Sequence, residues 1–335
     1  MQSSRVTIKD IARELGISPS TVSRAIKDHP DISSETKKLV NDLVDKLKYK
    51  PNALALSLRS RKTNLIALVV PEIVHHFFST VIAGIEEVAQ EAGYHVMIFQ
   101  SNETYEREVE IAQSLASIPI DGLLVSIAKT SQKFGHFRDL INQGIPLVFF
   151  DRACEEIEAD KVIVDDFNGA YNAVEYLIRS GCRRIAHFEA PQHLQIGYQR
   201  KRGYISALEK HGIKPEEDLM IKCDSLEEAL ELSPRIMRMD HPPDAVFAVN
   251  DLTAIGLMKV LKQLHFRIPE EVSVIGFTDG LAATIIDPPL TSVCQHGFEM
   301  GKKAMGMLLQ RMDVLEDDVP ARTEILPSKL ILRES

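Results

Sequence analysis

The side chains that could do chemistry stand directly after short apolar runs in the longer, second part of the sequence. Most are carboxylates, amides or hydroxyls: Asp151, Arg152, Asp165, Asp166, Asn250, Asp251, Thr278 and Asp279. Such groups hydrogen-bond hydroxyls, and Phe77 and Phe78 offer ring faces suited to the C–H side of a sugar. For Asp166, Asn250 and Asp251 taken singly, capping a following helix is an equally good interpretation. Together the set favours a ligand-binding site.

The apolar runs alternate with helical patterns. The runs cover 65–71, 95–101, 122–127, 146–151, 161–166, 184–190, 245–250 and 272–277, and helical patterns between them include 79–92, 168–180, 200–211 and 252–265. Continuous apolar strands separated by helices indicate parallel sheets covered on both faces. The length predicts two doubly wound lobes, which bind ligands at the carboxyl ends of their strands.

The motifs of common enzyme classes are absent from the sequence. It has no GxGxxG after a strand, no GxxxxGK[ST], no GxSxG and no HExxH. Asp165 and Asp166 are adjacent at a strand end and should point opposite ways, which is poor geometry for shared acid–base work. Four separated cysteines without a CxxC favour reduced thiols over a zinc site. We predict no enzyme activity, no cofactor and no metal.

Charge is distributed unevenly along the chain. The 335 residues carry a net charge of −9, yet residues 1 to 63 are basic and the remainder is strongly acidic. This asymmetry is typical of a small polyanion-binding module on an acidic carrier. No apolar run is long enough to cross a bilayer, and charges throughout the first 20 residues replace an apolar signal core. We therefore expect a cytoplasmic protein.

The basic segment begins with two short helix patterns separated by a tight turn. Thr7 with Asp10 forms a helix-start signal, and Gly16 is suited to end that helix. Ser18 caps the second helix, and Pro19 takes its first position, where no N–H is needed. Two helices joined so closely must cross steeply, which is the helix-turn-helix arrangement.

The second helix has an outer face suited to reading DNA. Val22, Ala25 and Ile26 should face inward, which leaves Pro19, Ser20, Ser23, Arg24 and Lys27 outside. In a major groove Arg24 could contact guanine with two hydrogen bonds, while Ser20 and Thr21 reach base edges or phosphates. An ordinary helical hairpin with a solvated arginine is the alternative.

A third helix and a leucine-rich segment follow. Ser33 or Ser34 should cap the helix, whose apolar side is formed by Leu39, Val40, Leu43, Val44 and Leu47. Pro51 stops it, and the segment ALALSLR at 53–59 is too short to be a stable isolated helix. Its leucines with flanking arginines suit a helix that forms on DNA and wedges a leucine into the minor groove.

Residues 5 to 62 resemble the headpiece and hinge of the lactose/galactose repressor (LacI-type) family of bacterial transcription regulators. The resemblance rests on VTIKDIARELGISPSTVSRAI followed by LKYKPNALALSLR. It implies recognition positions at Pro19, Ser20 and Arg24 and a minor-groove lever at Leu58. The complete predicted DNA-binding set is Thr7, Ser18, Pro19, Ser20, Thr21, Ser23, Arg24, Asn52, Ala55, Leu58 and Arg59.

The remaining residues resemble the same family's core, which is similar to periplasmic binding proteins. HHFF at 75–78, the run ending at Asp151 and Arg152, Arg200 with Gly203, VFAVND, and PPLTSVCQHGFEMGKKA carry the resemblance. The predicted effector-binding set is Phe77, Phe78, Asp151, Arg200, Asn250, Thr278, Asp279 and Gln295. Thr278 and Cys294 stand where the family often has aspartates, so the contacts on that wall differ.

The complete prediction is a ligand-responsive transcription regulator, most simply a repressor. A headpiece at 1–50 and a hinge at 51–63 precede a core at 64–335, with a first lobe of about 64–164 plus 294–325 and a second lobe of about 165–293 plus 326–335. A homodimer would read a pseudo-palindromic operator. The effector is predicted to be a sugar or sugar derivative, with a nucleobase or another small polar molecule open. The alternative is a periplasmic-type solute receptor with no role on DNA.

Overall fold

The computed structural model describes residues 6–49, 62–313 and 319–335. The chain divides into two compact units, Met1–Thr63 and Asn64–Ser335. Among the described residues, no helix combines the length and the apolar character needed to cross a membrane.

Three helices form the described part of the first unit: α1 (Ile8–Leu15), α2 (Pro19–Ile26) and α3 (Ser34–Lys46). The Asp10 carboxylate accepts hydrogen bonds from the Thr7 backbone N–H at 2.9 Å and from its hydroxyl at 2.6 Å. Gly16 ends α1 in the left-handed region, at φ 64°. The predicted turn between α1 and α2 is therefore confirmed.

Serine side chains begin the other two helices. The Ser18 hydroxyl accepts from the Thr21 N–H at 3.1 Å, and Pro19 occupies the first position of α2. At α3 the cap is Ser33, whose hydroxyl accepts from the Thr36 N–H at 3.2 Å. Short polar side chains thus satisfy backbone donors that a helix leaves unpaired.

The apolar sides of the three helices meet in one small core. It comprises Ile11, Ala12, Val22, Ala25, Val40 and Leu43. The prediction that Leu39 belongs to this core was wrong, because its side chain is 54% exposed. Val40 and Leu43 form the buried stripe of α3, and Leu39 lies one residue outside that stripe.

The second unit contains two six-stranded sheets. The first is β1 (Leu65–Val70), β2 (His95–Gln100), β3 (Gly122–Val125), β4 (Leu147–Phe150), β5 (Asp160–Val164) and β11 (Thr323–Leu326). Its strands are parallel in the order β11-β5-β4-β3-β1-β2. We call this sheet and its helices the first lobe.

The other sheet belongs to the second lobe. It contains β6 (Ile185–Glu189), β7 (Met220–Lys222), β8 (Ala245–Ala248), β9 (Ser273–Thr278), β10 (Thr291–Cys294) and β12 (Lys329–Ile331). The order is β12-β10-β9-β8-β6-β7, and only β12 runs antiparallel. Two doubly wound lobes, as predicted, are present.

Helices cover both faces of each sheet. The first lobe has α4 (His76–Glu91), α5 (Tyr105–Leu115), α6 (Gly135–Asn142) and α12 (Gly297–Asp313). The second lobe has α7 (Asp166–Arg179), α8 (Gln195–Lys210), α9 (Leu226–Ile236), α10 (Asp251–Gln263) and the short α11 (Leu281–Ile285). In α8, Gly203 lets the helix approach α7 so closely that an added Cβ would lie 2.4 Å from the Phe167 carbonyl oxygen.

The chain passes between the lobes three times. The passages lie between β5 and α7, between β10 and α12, and between β11 and β12. Alternate residues of each strand face opposite helix layers. In β1, for example, Ile66 and Leu68 pack against one layer, and Ala67 and Val69 against the other. This arrangement brings the carboxyl ends of strands from both lobes towards one cleft.

Candidate functional site

The predicted DNA-reading face of α2 is open. Val22 and Ala25 are buried in the helical core, whereas Pro19, Ser20 and Arg24 are exposed. Ser20 and Arg24 lie one helical turn apart and so occupy the same side of α2. The helix therefore presents a hydroxyl and a guanidinium together on its solvent side.

Hydroxyl groups cluster where α2 begins. The Ser18 oxygen lies 2.7 Å from the Ser20 oxygen and 2.8 Å from the Thr21 oxygen, and it also caps the helix. Thr7 is exposed at the start of α1, and Ser23 is half-buried. Ser18 thus has a structural role in addition to its predicted contact with DNA.

Arg24 is held only loosely. Its Nη1 lies 3.9 Å from the Asp31 Oδ2, and both side chains are mostly exposed. An exposed pair of this length contributes little, so the guanidinium remains available for another partner. The hinge predictions Asn52, Ala55, Leu58 and Arg59 lie outside the described residues.

Strained backbone conformations occur at the carboxyl ends of the strands. Asp151 follows β4 with φ 57°, Asp279 follows β9 with φ 61°, and Thr278 has φ 136°. Glu103 after β2 and His296 after β10 also have positive φ, at 59° and 53°. Non-glycine residues rarely adopt these conformations, and such residues concentrate at functional sites. Six of the ten non-glycine residues with positive φ in the described part of the chain lie at the carboxyl ends of strands.

Asp151 is a buried carboxylate with few partners. Its side chain is 5% exposed, its Oδ2 is 3.5 Å from the Ser126 hydroxyl, and the Arg152 Nε is 3.9 Å away. Burial raises the pKa of Asp151 to about 6, although the positive charges of Arg152 and Arg200 act against that rise. A ligand donor at this position would supply the hydrogen bonds that the protein does not.

Arg200 is buried in the second lobe and is already bonded. Its Nε donates to the Asp166 Oδ1 at 2.8 Å, and its Nη1 donates to the Val249 carbonyl oxygen at 2.6 Å. Its guanidinium lies 3.8 Å from the centre of the Phe277 ring. Burial raises the pKa of Asp166, while the charge of Arg200 lowers it.

The structure decides between the two interpretations of the aspartates after β5. Asp165, not Asp166, caps α7, because its Oδ1 accepts from the Asn168 N–H at 3.1 Å. Capping as the role of Asp166 was therefore wrong. Asp166 turns inward because its carboxylate pairs with Arg200, a residue 34 positions further along the chain.

The polar residues on the wall of the second lobe already have partners. Thr278 donates its hydroxyl to the Gln295 Oε1 at 3.0 Å, and Asp279 pairs with the Arg333 Nη2 at 2.6 Å. Asn250 caps α10 by accepting from the Thr253 N–H at 2.9 Å, as the capping interpretation predicted. Among the predicted effector residues, Asp151 is the one whose carboxylate is least satisfied.

The two phenylalanines do not offer open ring faces. Phe77 and Phe78 are both buried at the start of α4, with ring centres 5.3 Å apart in an edge-to-face contact. They belong to the core between α4 and the first sheet. The rings are therefore not exposed, although the Arg152 guanidinium lies 6.0 Å from the centre of the Phe78 ring, and their contact with an effector stays a prediction. Apolar contact with the core outweighs exposure because each ring buries a large area.

The site also contains three charged residues that were not predicted, Glu103, Lys129 and Asp224. Arg152 donates from Nη1 to the Glu103 Oε2 at 2.7 Å, and the Lys129 backbone N–H donates to the same oxygen at 2.7 Å. The Lys129 ammonium lies 2.9 Å from the Asp224 Oδ2 in the other lobe. Asp224 follows β7, a strand too short to be recognised from its sequence. Applying the strand-end rule to β2 and β3 would have drawn attention to Glu103 and Lys129.

Asp251 binds the backbone of the second lobe. Its Oδ2 accepts from the Gly280 N–H at 2.7 Å, and its Oδ1 accepts from the Ser292 hydroxyl at 2.5 Å. Burial raises the pKa of Asp251 to about 6. Within the described ranges, no group of three or more His, Cys, Asp and Glu side chains could hold a metal ion.

Two protein families match parts of the chain. Residues 7–52 match the bacterial regulatory proteins of the lacI family, and residues 174–335 match a periplasmic binding protein-like domain. The HTH-type transcriptional repressor PurR of Vibrio atlanticus is 35% identical over 310 residues, covering 91% of this chain and 92% of the relative. The probable HTH-type transcriptional regulator EndR of Paenibacillus polymyxa is 31% identical, covering 96% and 94%.

Solved structures show the same architecture. The transcriptional regulator CelR in complex with cellobiose is 27% identical, with a TM-score of 0.75, and the match covers 99% of this chain and 100% of that one. The lac repressor dimer bound to operator and an anti-inducer has a TM-score of 0.86 at 23% identity, covering 99% of each chain. The predicted fold class, a helix-turn-helix unit followed by a two-lobed core, is confirmed.

Proposed function

Since this chain belongs to the lacI family of bacterial regulatory proteins and is a DNA-binding transcription regulator, we propose that it is an operator-binding repressor. A small polar effector bound between the two lobes controls its operator affinity. The observation that carries the proposal is the geometry of α2, which buries Val22 and Ala25 and leaves Ser20 and Arg24 exposed on one side. A helix with this division can enter a major groove without losing its own core.

The operator is a pseudo-palindrome read by a homodimer. A single headpiece has few base-reading side chains, so two headpieces on a two-fold axis are needed for a site of useful length. The lac repressor structure with the same fold is a dimer on its operator, which supports this arrangement. Pro19 carries no side-chain donor, so the preferred bases differ from those of relatives with a polar residue there.

The effector is a sugar or a sugar derivative. Asp151 supports this choice, because a buried carboxylate with one long hydrogen bond can accept two donors from neighbouring hydroxyls. Arg152 lies beside it and Gln295 follows β10, and both carry donors for the oxygens of the same molecule. The relative crystallised with cellobiose supports a carbohydrate as well. A nucleobase or another small polar molecule remains the second candidate, since Thr278 and Cys294 replace the aspartates expected on that wall.

The chain acts without catalysis and works in the cytoplasm, where its DNA target is found. Its relatives are transcription regulators. A solute receptor would have no use for the helix-turn-helix unit. Residues 1–50 serve as the headpiece, 51–63 as the hinge, and 64–335 as the effector-binding and dimerising core. The core has a first lobe of about 64–164 plus 294–325 and a second lobe of about 165–293 plus 326–335.

The test is selection of sheared genomic DNA on the purified full-length chain at near-physiological salt, where binding to phosphates alone is suppressed. We expect enrichment of a pseudo-palindrome. The matched control is the Arg24→Ala chain, which should enrich a site with one relaxed position in each half. If neither the apo chain nor the chain with added metabolite mixtures enriches any sequence, the repressor proposal fails.

A further inference from the structure

One loop of the first lobe, residues 126–131 after β3, makes polar contacts with two segments of the second lobe. Lys129 in this loop contacts the second lobe through two groups, its side-chain ammonium and its backbone carbonyl oxygen. Its ammonium is 2.9 Å from the Asp224 Oδ2 and 3.1 Å from the Asp224 Oδ1. Its carbonyl oxygen accepts a hydrogen bond from the His193 Nε2 at 2.7 Å. One residue of the first lobe thus binds two segments of the second.

The loop is fixed firmly to its own lobe. Glu108, fully buried in α5, accepts from the Ala128 N–H at 2.7 Å and from the Ser131 hydroxyl at 2.6 Å. Glu103 accepts from the Lys129 N–H at 2.7 Å. Charged acceptors make these bonds strong, and their burial makes them costly to break. The backbone of Lys129 therefore moves with the first lobe.

Asp224 is fixed to the second lobe in a comparable way. Its carbonyl oxygen accepts from the Asn250 Nδ2 at 2.8 Å, and its N–H donates to the Glu228 Oε2 at 2.8 Å. Asn250, predicted to bind the effector, thus holds the loop that faces Lys129. The ion pair consequently joins two anchored loops, so a wider angle between the lobes would separate its two charges.

An apolar contact accompanies the ion pair. Leu194 and Ile196 of the second lobe are buried in the apolar cluster of the first lobe that also contains Ile127, Cys154 and Ile157. Leu194 immediately precedes α8, the helix that carries Arg200 in the cleft. Displacement of Arg200 along this helix axis would therefore move Leu194 in its apolar site. The cleft and the interlobe contact are mechanically connected.

We propose that Lys129 and Asp224 are positioning residues of the effector response: their ion pair holds the lobes closed, and its making and breaking sets the interlobe angle. The proposal rests on the effector-binding part of the proposed function. The ion pair is suited to this role because it forms only when the two charges come within a few ångströms of each other. The apolar contact of Leu194 and Ile196, in contrast, tolerates sliding. The side chains are 30% and 15% exposed, so the pair is partly shielded from water yet still able to open.

The test measures the interlobe distance of the full-length chain without ligand or DNA. Dyes are attached through unnatural amino acids at Gln113 in α5 and Glu209 in α8, two exposed positions on different lobes. Labelled protein is diluted into excess unlabelled protein, and single-molecule energy transfer gives the ratio of closed to open molecules. Asp224→Asn and Lys129→Met should each lower that ratio about tenfold, the loss expected for one partly buried charged hydrogen bond.

Two controls separate this role from a general effect on stability. The double exchange Lys129→Asp with Asp224→Lys should restore the closed population. Glu110→Gln, which removes the 2.9 Å pair with Arg107 inside α5, should leave it unchanged. The proposal is overturned if the wild-type chain shows no closed population, if the single exchanges leave the ratio unchanged, or if the double exchange fails to restore it.

The second measurement is the affinity of each variant for the DNA fragment enriched in the genomic selection. The dissociation constant for that fragment should change in Asp224→Asn and return in the double exchange. An unchanged constant, despite an altered closed population, overturns the link between closure and DNA binding. If the wild-type chain binds no selected DNA, the proposed function fails, and the energy-transfer result still decides whether the pair closes the lobes.

Discussion

Replacing Asp151 with asparagine should stabilise the folded core. In the native chain this carboxylate is buried with one long hydrogen bond, and its pKa is raised from 3.8 to about 6. An increase of that size corresponds to about 3 kcal/mol of preference for the neutral form in the folded state. The asparagine side chain is neutral at every pH, and asparagine tolerates the left-handed backbone found at this position, at φ 57°.

The pH dependence of the free energy of unfolding follows from the upward shift of the Asp151 pKa. Below about pH 4 the acid is protonated in both states, so its ionisation does not affect folding. Between about pH 4 and pH 6 the unfolded chain loses the proton first, so the native protein loses stability as pH rises. Above pH 6 the loss is complete. Asp151→Asn should therefore be more stable than wild type by about 3 kcal/mol at pH 7.5 and nearly equal to it near pH 4.

The assay is urea unfolding of the core at several pH values between about 4 and 8. The matched control is Asp251→Asn, because the pKa of Asp251 is also raised to about 6 but its oxygens accept from Gly280 and Ser292. An amide there would place N–H groups against existing donors, so this variant should lose stability. The reasoning is refuted if Asp151→Asn is less stable than wild type at the upper end of that pH range, or if its gain does not vary with pH.

If Asp151→Asn stabilises the core, the native aspartate is present for function and not for stability. Proteins keep locally unfavourable residues where function needs them. A ligand that donates hydrogen bonds to the ionised carboxylate would offset the cost of its burial. Asp151→Asn should accordingly trade effector response for stability.

Four further exchanges test other parts of the structure. Ser18→Ala removes the cap of α2 and should lower headpiece stability by about 1 kcal/mol, seen as faster amide exchange in α2; an unchanged rate would contradict the cap. Arg24→Ala should cost about 1–3 kcal/mol of discrimination at one base pair per half-site, and an unaltered selected site would exclude Arg24 as a reader. Arg200→Met leaves Asp166 buried without its charge partner and should cost about 3–5 kcal/mol in urea unfolding at neutral pH; a near-neutral effect would argue against that pair. Leu58→Ala should weaken binding to the operator more than to random DNA in anisotropy titrations, and equal losses would count against the lever role.

Elements with strong local signals were predicted within a few residues. The eight apolar runs correspond to β1 to β6, β8 and β9. Most of these strands are buried on both faces and are therefore apolar throughout, whereas the edge strand β2 is only partly buried. The strands β7 and β10 to β12 were missed. They are short, and β10 is rich in Ser, Thr and Cys, so their strand character comes from neighbours already in the sheet.

The sequence by itself determined most helix caps, the open face of α2, the two-lobed α/β class and the polar residues that follow the strands. These features depend on residues close together in the chain. The tertiary structure alone decided which charges pair and which stay unpaired. Arg200 meets Asp166 and Lys129 meets Asp224 across 34 and 95 residues, and Asp151 is left with one weak bond. Burial and pairing depend on segments that only folding brings together, so local pattern cannot reveal them.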